Sequence, residues 1–265
     1  MKKEVSFNIA ITAGGTSENI DGIRKLTNVS TGKLGWECLK AVLNRFRSDF
    51  HVYYILTETA YHEELTENEC PFVTFIPVSD AESVYNAVDK LTKSVSIDYF
   101  IHSMAISDFT FSYAAKAYEI AQEIEALQKP EGFCDDDVRF LLENPHTRIP
   151  KGEKISSDDN IIIGLKRTRK VIPLIKQNNP DTFLVGFKLL KDVSEDELID
   201  AANQLAEKNG CDMVFANQLA HISENEHNGI LIRNGEIIAR PIGKKEIAEA
   251  ITPNPLKGAL GATND

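Results

Sequence analysis

The fold is decided by the stretch ITAGGTSENIDGIRKLTNVSTGKLG, residues 11–35. The apolar, β-forming run from Phe7 to Ala13 that leads into it reads as a strand. Gly14 and Gly15 then let the backbone turn tightly with its N–H groups facing a ligand, and Thr16 and Ser17 add hydroxyl donors. The second half, Asn28 to Gly35, is another Ser/Thr/Gly cluster, and it ends where a helix begins. Free N–H groups and the helix dipole favour anions there. Either half alone reads as a tight turn plus an N-cap. Two such loops bracketing Arg24, Lys25 and Lys33 read together as a phosphate site.

Neither standard fingerprint accompanies the loops. GxGxxG is absent, and GGTSENIDG lacks the GKS or GKT ending of a P-loop. A Rossmann dehydrogenase is therefore disfavoured.

Outward from this stretch, short apolar runs alternate with amphipathic ones. Phe7 to Ala13, His51 to Thr57, Val73 to Val78, Asp98 to Ala105, Thr182 to Phe187 and Asp212 to Ala216 read as buried strands, with a further strand at Asn160 to Gly164. Helical patterns lie near Leu34 to Phe46, Ala81 to Leu91 and Ser194 to Lys208. This alternation predicts a Rossmann-like, doubly wound α/β fold: βαβ units, a mainly parallel sheet and helices on both faces. Ligands in such folds gather at the carboxyl ends of the strands.

Two regions break the rhythm. Phe111 to Lys151, with a helical pattern over Tyr113 to Leu127, reads as an inserted arm or subunit-contact element, since about 40 residues is at the lower limit for independent folding. Gly229 to Ile232 and Glu236 to Ala239 flank Arg233, Asn234 and Gly235, which predicts a C-terminal hairpin with an Asn-Gly turn. The expected organisation is one Rossmann-like domain over residues 1–252, an insertion at about 111–151 and a frayed tail over 253–265.

Composition narrows the classes of function. A net charge of −11 opposes the phosphate backbone of DNA or RNA, so nucleic-acid binding is not expected and any anion site must be a local cluster of cations. Cys38, Cys70, Cys134 and Cys211 form no CxxC pair and read as reduced thiols. His221 and His227 lack the companion cysteines of a zinc finger. Residues 1–7 hold no signal-peptide core and no segment approaches the roughly 20 apolar residues of a membrane span, so a cytoplasmic protein without a membrane partner is expected.

Several residues outside the loops can carry chemistry. Asp108, in the stretch His102 to Phe109 after a strand, reads either as a turn cap or as a carboxylate that accepts hydrogen bonds from a sugar or base. Lys166, Arg167, Arg169 and Lys170 concentrate positive charge beside a predicted strand; they read as a solvated helix face or as a grip on a triphosphate. Lys154 lies on a polar loop, either simply exposed or closing over a reacting phosphate.

These pieces, taken in order, resemble the phosphopantothenate–cysteine ligase family in its short monofunctional bacterial form. The likeness rests on residues 11–35 and on IHSMAISDF, KISS, LKRTRKVI, LVGFKLL and MVFANQL, and runs over essentially Ile9 to Ile251. It implies a Rossmann-like homodimer that joins 4′-phosphopantothenate to cysteine in coenzyme A synthesis. The substrate carboxylate is converted to an acyl-nucleotidylate with release of pyrophosphate, using Mg²⁺, and the cysteine amine then displaces the nucleoside monophosphate. A free carboxylate resists amines until given a good leaving group, and both steps develop negative charge that fixed donors stabilise.

The resemblance also implies roles residue by residue. Asn28 matches the asparagine that holds the acyl-nucleotidylate, Arg24 an arginine linked to the second half-reaction, and Lys154 the catalytic lysine of the flap. Ala105 and Lys33 join Asn28 and Arg24 around the substrate. The nucleotide falls to Gly14, Gly15, Thr16, Ser17, His102, Ser103, Met104, Asp108, Arg169, Lys170, Val171, Ile172, Phe187, Gln204 and Lys208. Arg169 stands where many relatives carry proline, and Gln204 where the family tends to place the first of two basic residues one helical turn apart. CTP is expected before ATP, because the overall pattern looks bacterial; the metal ligands are left open. Two other classes compete. A nicotinamide- or flavin-dependent oxidoreductase needs an acidic ribose ligand after the second strand, where Glu58 lies nearby. A non-catalytic nucleotide sensor is disfavoured by the presence of both Asn28 and Lys154.

Overall fold

The structure, a computed structural model, describes residues 7–127, 134–150, 153, 155, 160–221 and 227–254. Along the chain run β1 (Phe7–Ala13), β2 (Ser17–Asn19), β3 (Lys25–Thr27), α1 (Lys33–Arg45), β4 (Phe50–Thr57), β5 (Val73–Val78), α2 (Ala81–Ser94) and β6 (Tyr99–His102). There follow β7 (Phe109–Lys116), α3 (Ala117–Glu125), α4 (Asp135–Glu143), β8 (Ile161–Arg167), α5 (Ile172–Asn178), β9 (Phe183–Leu190), α6 (Glu195–Asn209), β10 (Met213–Gln218), β11 (Ile230–Arg233), β12 (Glu236–Ala239) and α7 (Gly243–Ile251). They fall into two compact units, one of Met1–Thr16, Val29–Ile106 and Lys170–Asp265, the other of Ser17–Asn28 and Ser107–Arg169.

The first unit holds an eight-stranded sheet in the order β12-β11-β10-β9-β6-β1-β4-β5. Its six parallel strands, counted in chain order, are arranged 3-2-1-4-5-6, the doubly wound Rossmann order, so the predicted fold class is borne out. Alternation along β1 divides the core in two. Ile9, Ile11 and Ala13 face a cluster with Trp36, Leu39 and Val42 of α1 and Ile247 and Ile251 of α7. Ala10 faces Val84 and Val88 of α2 and Leu174 and Ile175 of α5. Leu198 and Ala202 of α6 cover Val214 and Ala216 of β10.

The helix ends follow their local sequence. Asp80 and Ser83 form a reciprocal capping box at the start of α2, and Ser194 and Glu197 one at α6. The predicted hairpin is β11 and β12, antiparallel. Its turn places Asn234 at φ 51° and Gly235 at φ 83°, the double positive φ that an Asn-Gly turn supplies. Two strands differ from expectation: β6 covers only Tyr99–His102 of the expected Asp98 to Ala105, because the chain leaves the sheet after His102 to meet the loop after β1. β5 is the sheet's edge, and most of its residues are partly or fully exposed rather than buried.

The second unit contains two small antiparallel sheets, β2 with β3 and β7 with β8, and helices α3 and α4. Tyr113, Ala115, Ile120 and Leu141 form its core. The helical pattern expected over Tyr113 to Leu127 is corrected here: α3 begins only at Ala117, because Tyr113 to Lys116 pair with Ile161 to Gly164 of β8. Alanine favours helix in isolation, but here Ala114 and Ala115 are buried and pair in register with Ile163 and Ile162. The predicted tail beyond Asn254 lies outside the described residues.

Candidate active site

In the first unit the loops after β1 and β6 meet where the strand order reverses. β1 lies between β4 and β6, and such a reversal is where doubly wound sheets open a crevice at their carboxyl ends. The two loops are laced by backbone: Ala105 N–H donates to the Gly14 carbonyl at 2.9 Å, and Thr16 N–H to the Ala105 carbonyl at 3.1 Å. Thr12, the one polar residue in the buried part of β1, Ile9–Ala13, pins the second loop. Its hydroxyl lies 3.1 Å from His102 Nδ1 and accepts from Met104 N–H at 3.2 Å, while Ser103 Oγ donates to the Thr12 carbonyl at 2.6 Å. His102 is buried, and desolvation pushes its imidazole down to about 4, so at neutral pH the ring is uncharged.

Substitution of Gly14 is opposed on two counts. It adopts φ +96°, and a Cβ there would stand 2.1 Å from Thr57 Oγ1 and 2.9 Å from Ala60 Cβ. The second glycine-rich segment packs on the same wall, with Tyr61 N–H donating to the Thr31 carbonyl at 2.8 Å. α1 starts from Gly32, which offers no side-chain cap, and Lys33 N–H at its start donates to Thr31 Oγ1 at 3.5 Å; helix N-termini favour anions. Lys33 is exposed, its ammonium 5.5 Å from the Tyr61 ring centre.

The other expected residues of this unit lie on separate elements. Val171 is buried at the N-cap of α5, Ile172 opens that helix and Lys170 is exposed before it. Phe187 on β9 packs its ring 5.8 Å from that of Phe215. Gln204 and Lys208 are exposed one turn apart on α6, so their spacing still places both on one face.

The second unit carries the rest. Ser17 and Thr27 join hydroxyls at 2.8 Å across β2 and β3. Arg24 lies in the turn between these strands, Asn28 directly follows β3, and Arg24 is bound to Asp21 Oδ2 at 2.5 Å. Asp108 is exposed just before β7, and its carbonyl accepts from Thr168 N–H at 3.0 Å, which sets it alongside the chain leading to Arg169. The basic run is not a helix face. Lys166 and Arg167 end β8, so these two side chains leave opposite faces of the ribbon. Lys154 lies outside the described residues.

Thr12, Thr57, Ala60, Tyr61 and Asp21 shape these segments without having been singled out in the sequence. A lone threonine inside a buried strand was the legible signal for Thr12. Among the described residues no group of three or more His, Cys, Asp or Glu side chains could hold a metal ion, and no helix is long and apolar enough to cross a membrane.

The strand order and the laced loops at the reversal define a doubly wound α/β protein, a class that gathers its ligands at the carboxyl ends of the strands. Comparison with known proteins makes the assignment particular. The chain belongs to the DNA/pantothenate metabolism flavoprotein C-terminal domain family, whose profile matches residues 5–126 and 146–256. It is 29% identical over 246 residues to the coenzyme A biosynthesis bifunctional protein CoaBC of Thermococcus kodakarensis, covering 92% of this chain and 49% of that one. The CoaBC protein of Methanocaldococcus jannaschii is 27% identical over 253 residues, covering 95% and 50%. The chain thus spans about half the length of the curated relatives it matches. Among solved structures, the DNA/pantothenate metabolism flavoprotein from Streptococcus pneumoniae superposes with a TM-score of 0.74 at 33% identity, covering 92% of this chain and 96% of that one. The C-terminal domain of a CoaBC protein shares the fold with a TM-score of 0.61 at 21% identity, over 92% of this chain and 91% of that one. The resemblance read from the motifs is borne out at the level of the family.

Proposed function

We propose that this chain joins 4′-phosphopantothenate to cysteine through an acyl-nucleotidylate, spending a nucleoside triphosphate to the monophosphate and pyrophosphate. The observation that carries the reading is the laced pair of loops Gly14–Thr16 and Ser103–Ala105 at the strand-order reversal, in a chain whose family relatives are named for coenzyme A biosynthesis. The hydrogen bonds between the two loops fix their shape, so that donors such loops turn to a ligand act without reorganising.

Asn28 holds the activated acyl group, since an amide donates to a carbonyl or phosphoryl oxygen without competing as a nucleophile. Arg24 serves the attack of cysteine, and Lys154 neutralises charge as the nucleotidyl group transfers. Gly14, Gly15, Thr16, Ser17, His102, Ser103, Met104, Asp108, Arg169, Lys170, Val171, Ile172, Phe187, Gln204 and Lys208 serve the nucleotide, and Ala105 and Lys33 the substrate. CTP is the expected nucleotide. Mg²⁺ comes with the triphosphate, whose oxygens are the hard donors it prefers. The enzyme works as a cytoplasmic homodimer.

The test is a purified-protein reaction with 4′-phosphopantothenate, cysteine, Mg²⁺ and either CTP or ATP, following pyrophosphate and coupled product separately. Pyrophosphate and product are expected together with one of the nucleotides; none with either nucleotide would sink the ligase. Asn28→Asp should leave some pyrophosphate release while impairing product formation, and wild-type product yield would remove Asn28 from its role. Lys154→Gln should abolish the first step; normal nucleotidylation by that variant would take the lysine out of the mechanism.

A further inference from the structure

Asp21 has no task in the reading above, yet its carboxylate is committed on both sides. The side chain is 1% exposed. Oδ1 accepts from Arg24 N–H at 2.8 Å and Ile23 N–H at 3.1 Å, which closes the turn after β2. Oδ2 is turned outward to Arg24 Nη1 at 2.5 Å and to Ile155 N–H at 3.3 Å. The Arg24 guanidinium in turn reaches the Ile155 carbonyl, with Nη1 and Nη2 both at 3.3 Å. Both backbone polar groups of Ile155, a buried residue next in sequence to Lys154, are therefore held by this acid and base pair.

The two oxygens do separable work. Closing the turn needs one acceptor, which an asparagine would also supply. Holding Arg24 and Ile155 needs a second acceptor facing two donors, and an amide NH₂ in that place would set donor against donor. The Arg24 backbone N–H first, with the other donors around the carboxylate, holds Asp21 down at about 2, so it is ionised throughout the working range. Arg24 keeps 45% of its side-chain surface exposed, and a guanidinium has donors to spare beyond those spent here.

We propose that Asp21 is a positioning residue for the ligase reaction: its Oδ2 fixes the Arg24 guanidinium against the backbone of Ile155, so that the group assigned to the attack of cysteine is held in one orientation. This rests on the ligase reading through Arg24. Asp21 touches neither substrate nor nucleotide in this account and acts through Arg24.

The experiment uses the full chain and two readouts. In the coupled reaction, Asp21→Asn should lower kcat for product by about 10- to 100-fold with a smaller change in KM for cysteine. Combined with Arg24→Gln it should add little to the loss from Arg24→Gln alone, as groups that act as a unit do. Amide hydrogen exchange should show Ile155 losing protection in Asp21→Asn, while Ile23 and Arg24, bound to Oδ1, keep theirs. Wild-type kcat, multiplying effects in the double variant, or unchanged protection at Ile155 would each overturn the proposal. Asp21→Glu keeps the charge but displaces it by a methylene, and it is the variant to read if Asp21→Asn does not fold; kcat, the double variant and protection at Ile155 then decide. If the wild-type protein releases no pyrophosphate, the ligase reading falls, and the exchange at Ile155 alone then decides whether the clamp exists.

Discussion

Gly14→Ala probes the wall on which the candidate crevice is built. At φ +96° an L-residue is strained, which costs about 1–2 kcal/mol. The new Cβ would also fall 2.1 Å from Thr57 Oγ1 and 2.9 Å from Ala60 Cβ; forcing a methyl into such a space costs about 1–3 kcal/mol. The two effects have separate origins, so stability should fall by about 2–5 kcal/mol, read as a lower urea midpoint at unchanged m. Among the described residues Thr57 Oγ1 is buried without a hydrogen-bond partner, so packing holds the hydroxyl. Thr57→Ala should therefore relieve the tighter overlap, and the double variant should recover about 1–3 kcal/mol relative to the sum of the single changes, with the φ cost remaining. Nucleotide titration should show Gly14→Ala binding more weakly than wild type, and Thr57→Ala restoring part of the loss. A Gly14→Ala protein within about 0.5 kcal/mol of wild type, at unchanged m, would refute the reasoning about this turn.

Gly235→Ala isolates the conformational cost, because Gly235 has φ +83° and an added Cβ would meet nothing within 4 Å; the loss should be about 1–2 kcal/mol in urea, and a smaller midpoint shift for Gly14→Ala than for Gly235→Ala would contradict both accounts. His102, lowered to about 4 by burial, stays neutral in the fold while the unfolded chain takes up a proton below about 6.5, so its contribution is intact above that pH and is lost as the pH falls toward about 4, by roughly 3 kcal/mol in all. Urea midpoints from about pH 7 down to about pH 4.5 should fall less steeply in His102→Gln than in wild type, with residual slope from His227, which is lowered likewise; parallel curves would show that His102 is not buried neutral.

The parts of the fold that were legible are those where local pattern and tertiary environment agree. β1 spans Phe7–Ala13 and β5 Val73–Val78, as the apolar runs predict, and the Asn234–Gly235 turn follows from its dipeptide. Burial was not legible for β5, because a strand's sequence does not say whether a neighbour lies on both sides. The three-residue strands β2 and β3 are too short to leave a period. Tyr113 to Lys116 are strand because their partners lie on β8, a pairing that local propensity does not encode. The residue types suited to phosphate and carboxylate chemistry were legible in residues 11–35, but the hydrogen bond from Ile155 to Asp21 joins positions 134 apart, and the lacing of Ala105 to Gly14 exists only once β1 and β6 are neighbours.

The central claim concerns where one oxygen goes. With ¹⁸O in the carboxylate of 4′-phosphopantothenate, attack of that carboxylate on the α-phosphorus and later displacement by the cysteine amine must carry one labelled oxygen into the nucleoside monophosphate and leave pyrophosphate unlabelled. Mass spectrometry of the two products reads this directly. Label in the monophosphate at one atom per turnover is the expected result; product formed with an unlabelled monophosphate, or with label in a released phosphate, would contradict the acyl-nucleotidylate.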